Sequence, residues 1–140
     1  MVLLERAPGY DTISSDEGSR INGILRELLR SSEAEIALLV RTDGSLIAQA
    51  QKVQTHKLES MGTLCALICG AAHAIANSQG TSLSYVHQHG DKKDLLILGI
   101  NETFGLVIAF QQTLGLGGIL YNARRCAVSL GQILETETIL

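Results

Sequence analysis

The sequence has few charged residues, and one long segment has none. Asp, Glu, Lys and Arg make up 18% of the 140 residues, against about 25% in typical soluble domains. None of them occurs between residues 60 and 90. The formal net charge is −3 and there is no basic cluster, so the composition argues against nucleic acid or an anionic membrane surface as a partner.

Targeting, anchoring and disulfide signals are also lacking. Glu5 and Arg6 follow only a few apolar residues, unlike the core of a signal peptide. No apolar run approaches the roughly 18 residues of a membrane helix. The three cysteines are an odd count, which fits reduced thiols better than a disulfide framework. We therefore expect a cytoplasmic protein without membrane insertion.

Hydrophobic periodicity predicts three helices and five strands. Ser14 and Glu17 have the spacing of a capping box, and an apolar helical stripe from Ile21 to Leu29 follows. Two strand-like runs flank Asp43-Gly44, a pair typical of tight hairpins. The first run, IALLV, is apolar throughout and is expected to be covered on both faces. A second helix is predicted over 57–79 and ends before Gly80.

Three further strand-like runs and a last helix complete the chain. Short polar turns separate LSYVHQ, DLLILGI and TFGLVIAF, and an apolar helical stripe follows them with Arg124 and Arg125 on its polar side. The predicted fold is α+β, with a five-stranded, mostly antiparallel sheet sandwiched by three helices in the order α-β-β-α-β-β-β-α. Residues 1–13 are assigned to an N-terminal tail and residues 14–137 to the domain.

The charge-free segment predicts a homodimer. On a helical wheel, the larger apolar residues of the second helix form one arc, expected to face the sheet, and a row of small residues lies opposite, shaped for a second helix. The next strand, LSYVHQHG, has no charge to discourage edge pairing. The alternative is a monomer whose tail covers this helix. The predicted dimer interface comprises Gly62, Ala66, Cys69, Gly70, His73, Tyr85 and His87.

No residue pattern predicts catalysis or a cofactor. Cys65, Cys69 and His73 share one side of the second helix, but their spacing lacks the short knuckles of structural zinc sites, and buried cysteine packs as a small apolar residue. His87 and His89 point to the same side of a strand, yet two imidazoles alone are too few for a metal site. The acidic residues, Asp94 among them, are interpreted as solvated.

Four segments together resemble the Roadblock / dynein light chain family, and its bacterial MglB-like branch most closely. They are AEIALLVRTDGSLIAQA (34–50), LESMGTLCALICGAAHAIA (58–76), VHQHGDKKDLLILGINETFGLVIAF (86–110) and TLGLGGILYNARRCAVSLGQIL (113–134). The hairpin turn, the central helix rich in small residues and the Thr-Leu-Gly-Leu turn into a last helix with paired arginines carry the resemblance. One departure is Cys69-Gly70-Ala71, where the family often has Ala-Gly-Asn.

The resemblance implies a non-catalytic homodimeric regulator or scaffold for a small Ras-like GTPase. Family members join their sheets at the third strand and pack their central helices together, and members of this branch stimulate GTP hydrolysis without inserting an arginine. The implied GTPase-binding residues are Thr63, Ala66, Gly70 and Asn77. A module that senses a small molecule, or a structural α+β interaction module without a GTPase partner, is the main alternative. A redox protein using Cys65 and Cys69 is a third hypothesis.

Overall fold

The computed structural model describes residues 15–52, 57–112 and 115–138. Its elements are α1 (Ser15–Ser31), β1 (Ile36–Arg41), β2 (Leu46–Gln51), α2 (Glu59–Ser78), β3 (Tyr85–His89), β4 (Lys93–Gly99), β5 (Phe104–Gln111) and α3 (Leu116–Thr138). The predicted element order and α+β class are confirmed. The predicted tail and the Ser14 cap lie outside the described residues, so the division at residue 14 stays a prediction.

The five strands form one sheet in the order β2-β1-β5-β4-β3, and every neighbouring pair is antiparallel. The β1–β2 hairpin turns at Asp43-Gly44, as predicted. Gly44 has φ +109°, a backbone conformation that side chains larger than hydrogen disfavour. The Asp43 carboxylate accepts the backbone N–H of Ser45 at 3.1 Å and stabilises the turn.

Helices cover both faces of the sheet, giving a three-layer domain. α1 and α3 pack together on one face, over a core that includes Leu39, Ile108 and Phe110. α2 lies on the other face, over Leu38, Ile97 and Val107. Because alternate residues of a strand point to opposite faces, the inner strands are apolar throughout. All residues from 36 to 40 of β1 are buried, which confirms the prediction for IALLV.

The stripes of α1 and α3 face this core as predicted. Ile21 and Leu25 of α1 are fully buried, as are Ala123 and Leu130 of α3. The opposite sides of both helices carry charge in the usual way, with Arg26 and Glu27 exposed on α1 and the paired arginines exposed on α3. Both helices therefore carry charged residues on their outer sides, and α3 also exposes Tyr121 and Val128, at 64% and 63%.

Candidate functional site

The helix α2 crosses the sheet with its small residues facing inward. A Cβ added to Gly62 would lie 3.2 Å from the Leu46 side chain of β2, and one added to Gly70 would lie 3.2 Å from the Thr42 carbonyl oxygen. Ala66 and Cys69 are fully buried between these points. The orientation predicted from the helical wheel is right for Leu58 and Cys65, which face the sheet, and wrong for the row of small residues. These small residues let the helix lie close to the sheet.

Glycines on the sheet receive the inward side chains of α2. A Cβ on Gly105 of β5 would lie only 2.7 Å from the Cys69 Sγ, and a Cβ on Gly99 of β4 would lie 2.9 Å from Cε1 of His73. Contacts this short are closer than real Cβ atoms make, so both positions require glycine for the present packing. The helix thus runs from β2 towards β3, with His73 near the β3 side of the sheet.

The outer face of α2 is apolar and exposed. Leu64 is 61% exposed, Leu67 is 52% exposed and Ile75 is 62% exposed. Ile68, at 39%, belongs to the same surface, which we call the α2 outer face. Large apolar side chains clustered on a surface mark sites of interaction with a protein or a membrane.

The strand β3 is an edge of the sheet beside α2. It pairs with β4 from Tyr85 to His89, and within the described part of the chain its other side has no strand partner. Four of its five residues are exposed and none is acidic or a lysine or arginine. An edge without charge or proline presents free N–H and C=O groups to any strand that approaches.

The predicted interface residues divide between two environments. Gly62, Ala66 and Cys69 face the sheet of their own chain, and Gly70 and His73 are half-buried against it. Gly62, Ala66 and Cys69 cannot meet a partner while α2 stays on the sheet, so the structure argues against these three, and for Gly70 and His73 the assignment to the interface stays a prediction. Tyr85 and His87 lie on the β3 edge, where the prediction of an interface stays open.

The residues predicted to bind a GTPase divide in the same way. Thr63 and Asn77 are exposed on one flank of α2, whereas Ala66 is fully buried and Gly70 abuts Thr42. The sequence analysis did not identify Leu64 and Leu67 as surface residues. The helix is apolar on both sides, so the only signal for its orientation was the presence of glycines in the strands that it covers.

The cysteines of α2 are packing residues of the domain. Cys65 and Cys69 are buried on the sheet side of the helix as free thiols. Burial raises the pKa of the Cys69 thiol to about 11, with a smaller contribution from Cys65. Burial also raises the pKa of Cys65. Thiols of this kind are poor nucleophiles at neutral pH because the reactive form is the thiolate.

By length and composition, α2 is apolar enough to cross a membrane. The expectation that no segment reaches this limit was wrong, because Gly, Ser and Thr interrupt the run of apolar letters without making the helix polar. The side of α2 that carries Cys65, Ala66 and Cys69 nevertheless packs on the sheet. The apolar outer face on the opposite side of the helix is the feature to explain.

A polar cluster lies at the outer end of the β3–β4 hairpin, on the sheet face that carries α1 and α3. His87 Nε2 is 2.7 Å from Asp94 Oδ2, and His89 Nδ1 is 3.0 Å from Asp94 Oδ1. Burial acts to raise the pKa of Asp94, but hydrogen bonds with His87, Gln112 and His89 lower it below its usual value.

The interpretation of Asp94 as a solvated residue was wrong, since it is only 6% exposed. The reason is the register of the hairpin, which places Asp94 directly opposite His89. The histidine pair alone was visible in the sequence. Its third member depends on where the turn between the strands begins and ends.

This antiparallel sheet, with two helices on one face and on the other a central helix that has a single charged residue, defines a roadblock-type domain. The Roadblock/LC7 domain family matches residues 21–110, and the chain belongs to this family. A comparison with curated protein sequences gives no significant match.

The solved structures that resemble this chain include MglB proteins. Myxococcus xanthus MglB has a TM-score of 0.78 and 24% identity, covering 86% of this chain and 98% of that one. An MglB with a tetrameric arrangement has a TM-score of 0.76 and 26% identity over 96% of each chain. The gliding protein MglB of Thermus thermophilus has a TM-score of 0.75 and 25% identity, also over 96% of each chain. The MglB-like prediction is thereby confirmed.

Proposed function

We propose that this protein is a cytoplasmic homodimeric regulator or scaffold that binds a small Ras-like GTPase and has no catalytic site of its own. Membership of the Roadblock/LC7 family and the similarity to MglB structures support this class of function. The observation that carries the proposal is the α2 outer face, an exposed apolar surface on a helix with Glu59 as its one charged residue.

The α2 outer face and the β3 edge are suited to a symmetric dimer. A twofold interface uses the same patch on both copies, and two β3 strands can pair through their free backbone groups while two α2 helices pack through Leu64, Leu67 and Ile75. Both elements belong to the segment without charged residues, so pairing like with like brings no charge repulsion. In this arrangement the small residues of α2 stay on their own sheet.

The exposed flank of α2 that carries Thr63 and Asn77 is the proposed contact for the GTPase. Both residues are polar and exposed, and Thr63 lies beside the β1–β2 turn, where its Cγ2 would be 3.7 Å from a Cβ on Gly44. Dimerisation would place two such flanks on one platform. We propose that the GTPase binds there and that stimulation of GTP hydrolysis, where it occurs, acts through the GTPase's own residues.

The first test is the solution mass of the wild type, of Leu67→Glu and of Val128→Glu, measured by light scattering. Val128 is a matched control because it is an apolar residue, 63% exposed, on α3 and away from α2. We expect a wild-type dimer, a monomeric Leu67→Glu and a dimeric Val128→Glu. A wild type that remains monomeric at high concentration would contradict the proposed dimer.

The second test is binding of the dimer to bacterial small Ras-like GTPases loaded with GDP or with a non-hydrolysable GTP analogue. We expect binding that depends on the nucleotide, is weakened by Thr63→Arg plus Asn77→Arg, and is unaffected by Val128→Glu. The rate at which the GTPase releases phosphate from GTP, measured with and without the dimer, then shows whether the dimer stimulates hydrolysis or only binds the GTPase. Failure to bind in either nucleotide state, with the dimer intact, would favour an interaction module without a GTPase partner.

One observation bears on the alternative of a small-molecule sensor. An open groove runs between α3 and the β4–β5 turn, with Arg124, Asn101 and Ser84 among its lining residues. These groups already make contacts within the chain. Asn101 Oδ1 accepts the backbone N–H of Thr103 at 2.8 Å. The Arg124 guanidinium lies 3.4 Å from the Ser84 hydroxyl and over the Tyr85 ring. We therefore rank the sensing function second.

A further inference from the structure

The cluster at the end of the β3–β4 hairpin has the composition of a metal site. One nitrogen of His87, one nitrogen of His89 and one carboxylate oxygen of Asp94 all lie within 4.8 Å of one another. We propose that these residues bind one divalent transition-metal ion of the Zn²⁺ class, with water completing the coordination. The three ligands come from a single chain, so the site does not depend on the proposed dimer or on a GTPase.

The surrounding structure holds the ligands in converging positions. Asp94 is 6% exposed, and its Oδ1 also accepts the backbone N–H of Gly90 at 3.3 Å. The His87 ring stacks on Phe110, with ring centroids 6.2 Å apart and planes 18° apart. Contacts of this kind outside the ligand set orient metal ligands in known sites.

The site is open to the solvent in the single chain. The side chain of His89 is 71% exposed and that of His87 is 29% exposed, so an ion can enter without any change of the core. Gln112 lies behind the cluster, where its amide donates to the Gly90 carbonyl and stands 3.5 Å from His89 Nδ1. The ion would thus join β3 to β4 at the outermost hairpin of the sheet.

A small displacement of the ligands suffices to admit the ion. Metal–ligand distances of about 2.0–2.2 Å in a tetrahedral site place neighbouring ligand atoms about 3.3–3.5 Å apart. Asp94 Oδ2 lies 2.7 Å from His87 Nε2 and 3.3 Å from His89 Nδ1, so the His87 imidazole must move by roughly half an ångström and the His89 imidazole hardly at all. On binding, the ion takes the place of any proton between each nitrogen and the carboxylate, and each neutral imidazole keeps its proton on its other nitrogen.

The ligand types select the class of ion. Two imidazole nitrogens and one carboxylate suit Zn²⁺ and its neighbours Co²⁺, Ni²⁺ and Cu²⁺, whereas Mg²⁺ and Ca²⁺ take oxygen ligands. The cysteines do not belong to the site. Cys65 and Cys69 lie on the α2 face of the sheet, and Cys126 is on the buried side of α3, 7% exposed.

The experiment is a titration of the metal-free full-length protein with Zn²⁺ at neutral pH, followed by calorimetry, and a parallel titration with Co²⁺ followed by visible absorption. We expect one ion per chain, a Co²⁺ spectrum without thiolate charge transfer and a higher midpoint of thermal unfolding with Zn²⁺. His89→Ala and Asp94→Asn should each weaken Zn²⁺ binding at least about 100-fold, since even outer-shell partners of metal ligands are worth about 10–100-fold.

Two matched variants serve as controls. Gln88→Ala changes the neighbouring residue on the other face of β3, and Asp91→Asn removes an exposed carboxylate from the same turn. Both should bind Zn²⁺ like the wild type. A wild type that does not bind Zn²⁺, binding that survives in His89→Ala and Asp94→Asn, or a Co²⁺ spectrum with thiolate charge transfer would each overturn the proposal. Circular dichroism shows whether each variant is folded, and His89→Ala keeps the test valid if Asp94→Asn does not fold.

Discussion

The substitution Leu67→Ala tests the α2 outer face with little disturbance of the domain. Leu67 is 52% exposed, so about half of its side chain remains available for a partner. Removing the branched end of a leucine forfeits about 2.4 kcal/mol of burial at about 0.8 kcal/mol per carbon, of which about 1.2 kcal/mol belongs to the exposed half. In a twofold dimer the loss occurs twice, and about 2.4 kcal/mol corresponds to a dissociation constant raised about 60-fold.

The same substitution should lower the free energy of unfolding of the isolated chain by only about 1 kcal/mol, the share of the half that is already buried. Sedimentation equilibrium over a dilution series gives the dissociation constant, and urea denaturation at the most dilute concentration gives the unfolding free energy. These two measurements distinguish a surface residue from a core residue. At a surface residue the effect on dimerisation is the larger one. At a core leucine the effect on unfolding is the larger one, with a loss of about 2–5 kcal/mol.

Ala66 provides the contrast on the other side of the same helix. It is fully buried against the sheet, so Ala66→Leu should lower the unfolding free energy by about 1–3 kcal/mol through overpacking. Ala66→Leu should change the dimer dissociation constant only to the extent that the loss of folding stability changes it. An unchanged dissociation constant for Leu67→Ala, or an equal rise for Val128→Ala on α3, would refute the assignment of the interface to the α2 outer face.

Further predictions concern single positions in the domain. Gly105→Ala should lower the free energy of unfolding by about 1–3 kcal/mol, because its Cβ would lie 2.7 Å from the Cys69 Sγ; combining it with Cys69→Ala should recover part of that loss in urea denaturation. Gly23→Ala should raise the unfolding free energy by about 0.5–1 kcal/mol, since Gly23 lies within α1 and an added Cβ would have nothing within 4 Å. Burial acts to raise the pKa of Asp94, but hydrogen bonding holds this pKa below its usual value. The ionised carboxylate therefore stabilises the fold at neutral pH, and this stabilisation is lost as the pH falls through the lowered pKa. Asp94→Asn should therefore show a flatter loss of stability in acid, measured by urea denaturation over an acidic pH series. Burial raises the pKa of the Cys126 thiol to about 12, so iodoacetamide at mildly alkaline pH should alkylate it only after unfolding, as mass spectrometry can show.

The parts of the fold that the sequence predicts are those with a local physical cause. Asp43-Gly44 produces a hairpin because the turn itself requires a positive φ at glycine. The stripes of α1 and α3 identify their buried faces because charged residues mark the opposite sides. Runs such as IALLV identify inner strands because both faces are apolar. None of these inferences needs a contact between distant segments.

The orientation of α2 could not be predicted in this way. Its two sides are both apolar, so no charge marks the exposed one, and the size of the residues favoured the wrong side. The deciding partners are Gly99 and Gly105, which lie more than twenty residues away and receive His73 and Cys69. Asp94 was misjudged for a similar reason, since its burial depends on the pairing of Asp94 with His89 across the hairpin.

The orientation of α2 strengthens the argument for a partner. If the large residues faced the sheet, the outer face would be a small, nearly flat surface, and its lack of charge would need little explanation. Instead, Leu64, Leu67 and Ile75 stand more than half exposed, beside an uncharged strand edge, whereas the outer faces of α1 and α3 carry arginine and glutamate in the usual way. Tyr121 and Val128 of α3 are also exposed, but paired arginines lie beside them. The α2 outer face has no charged residue, and a clustered apolar surface of this kind marks a site of interaction. Because the apolar helix face and the free strand edge are neighbours in one charge-free segment, a single interface that covers both is the simplest arrangement that accounts for them together.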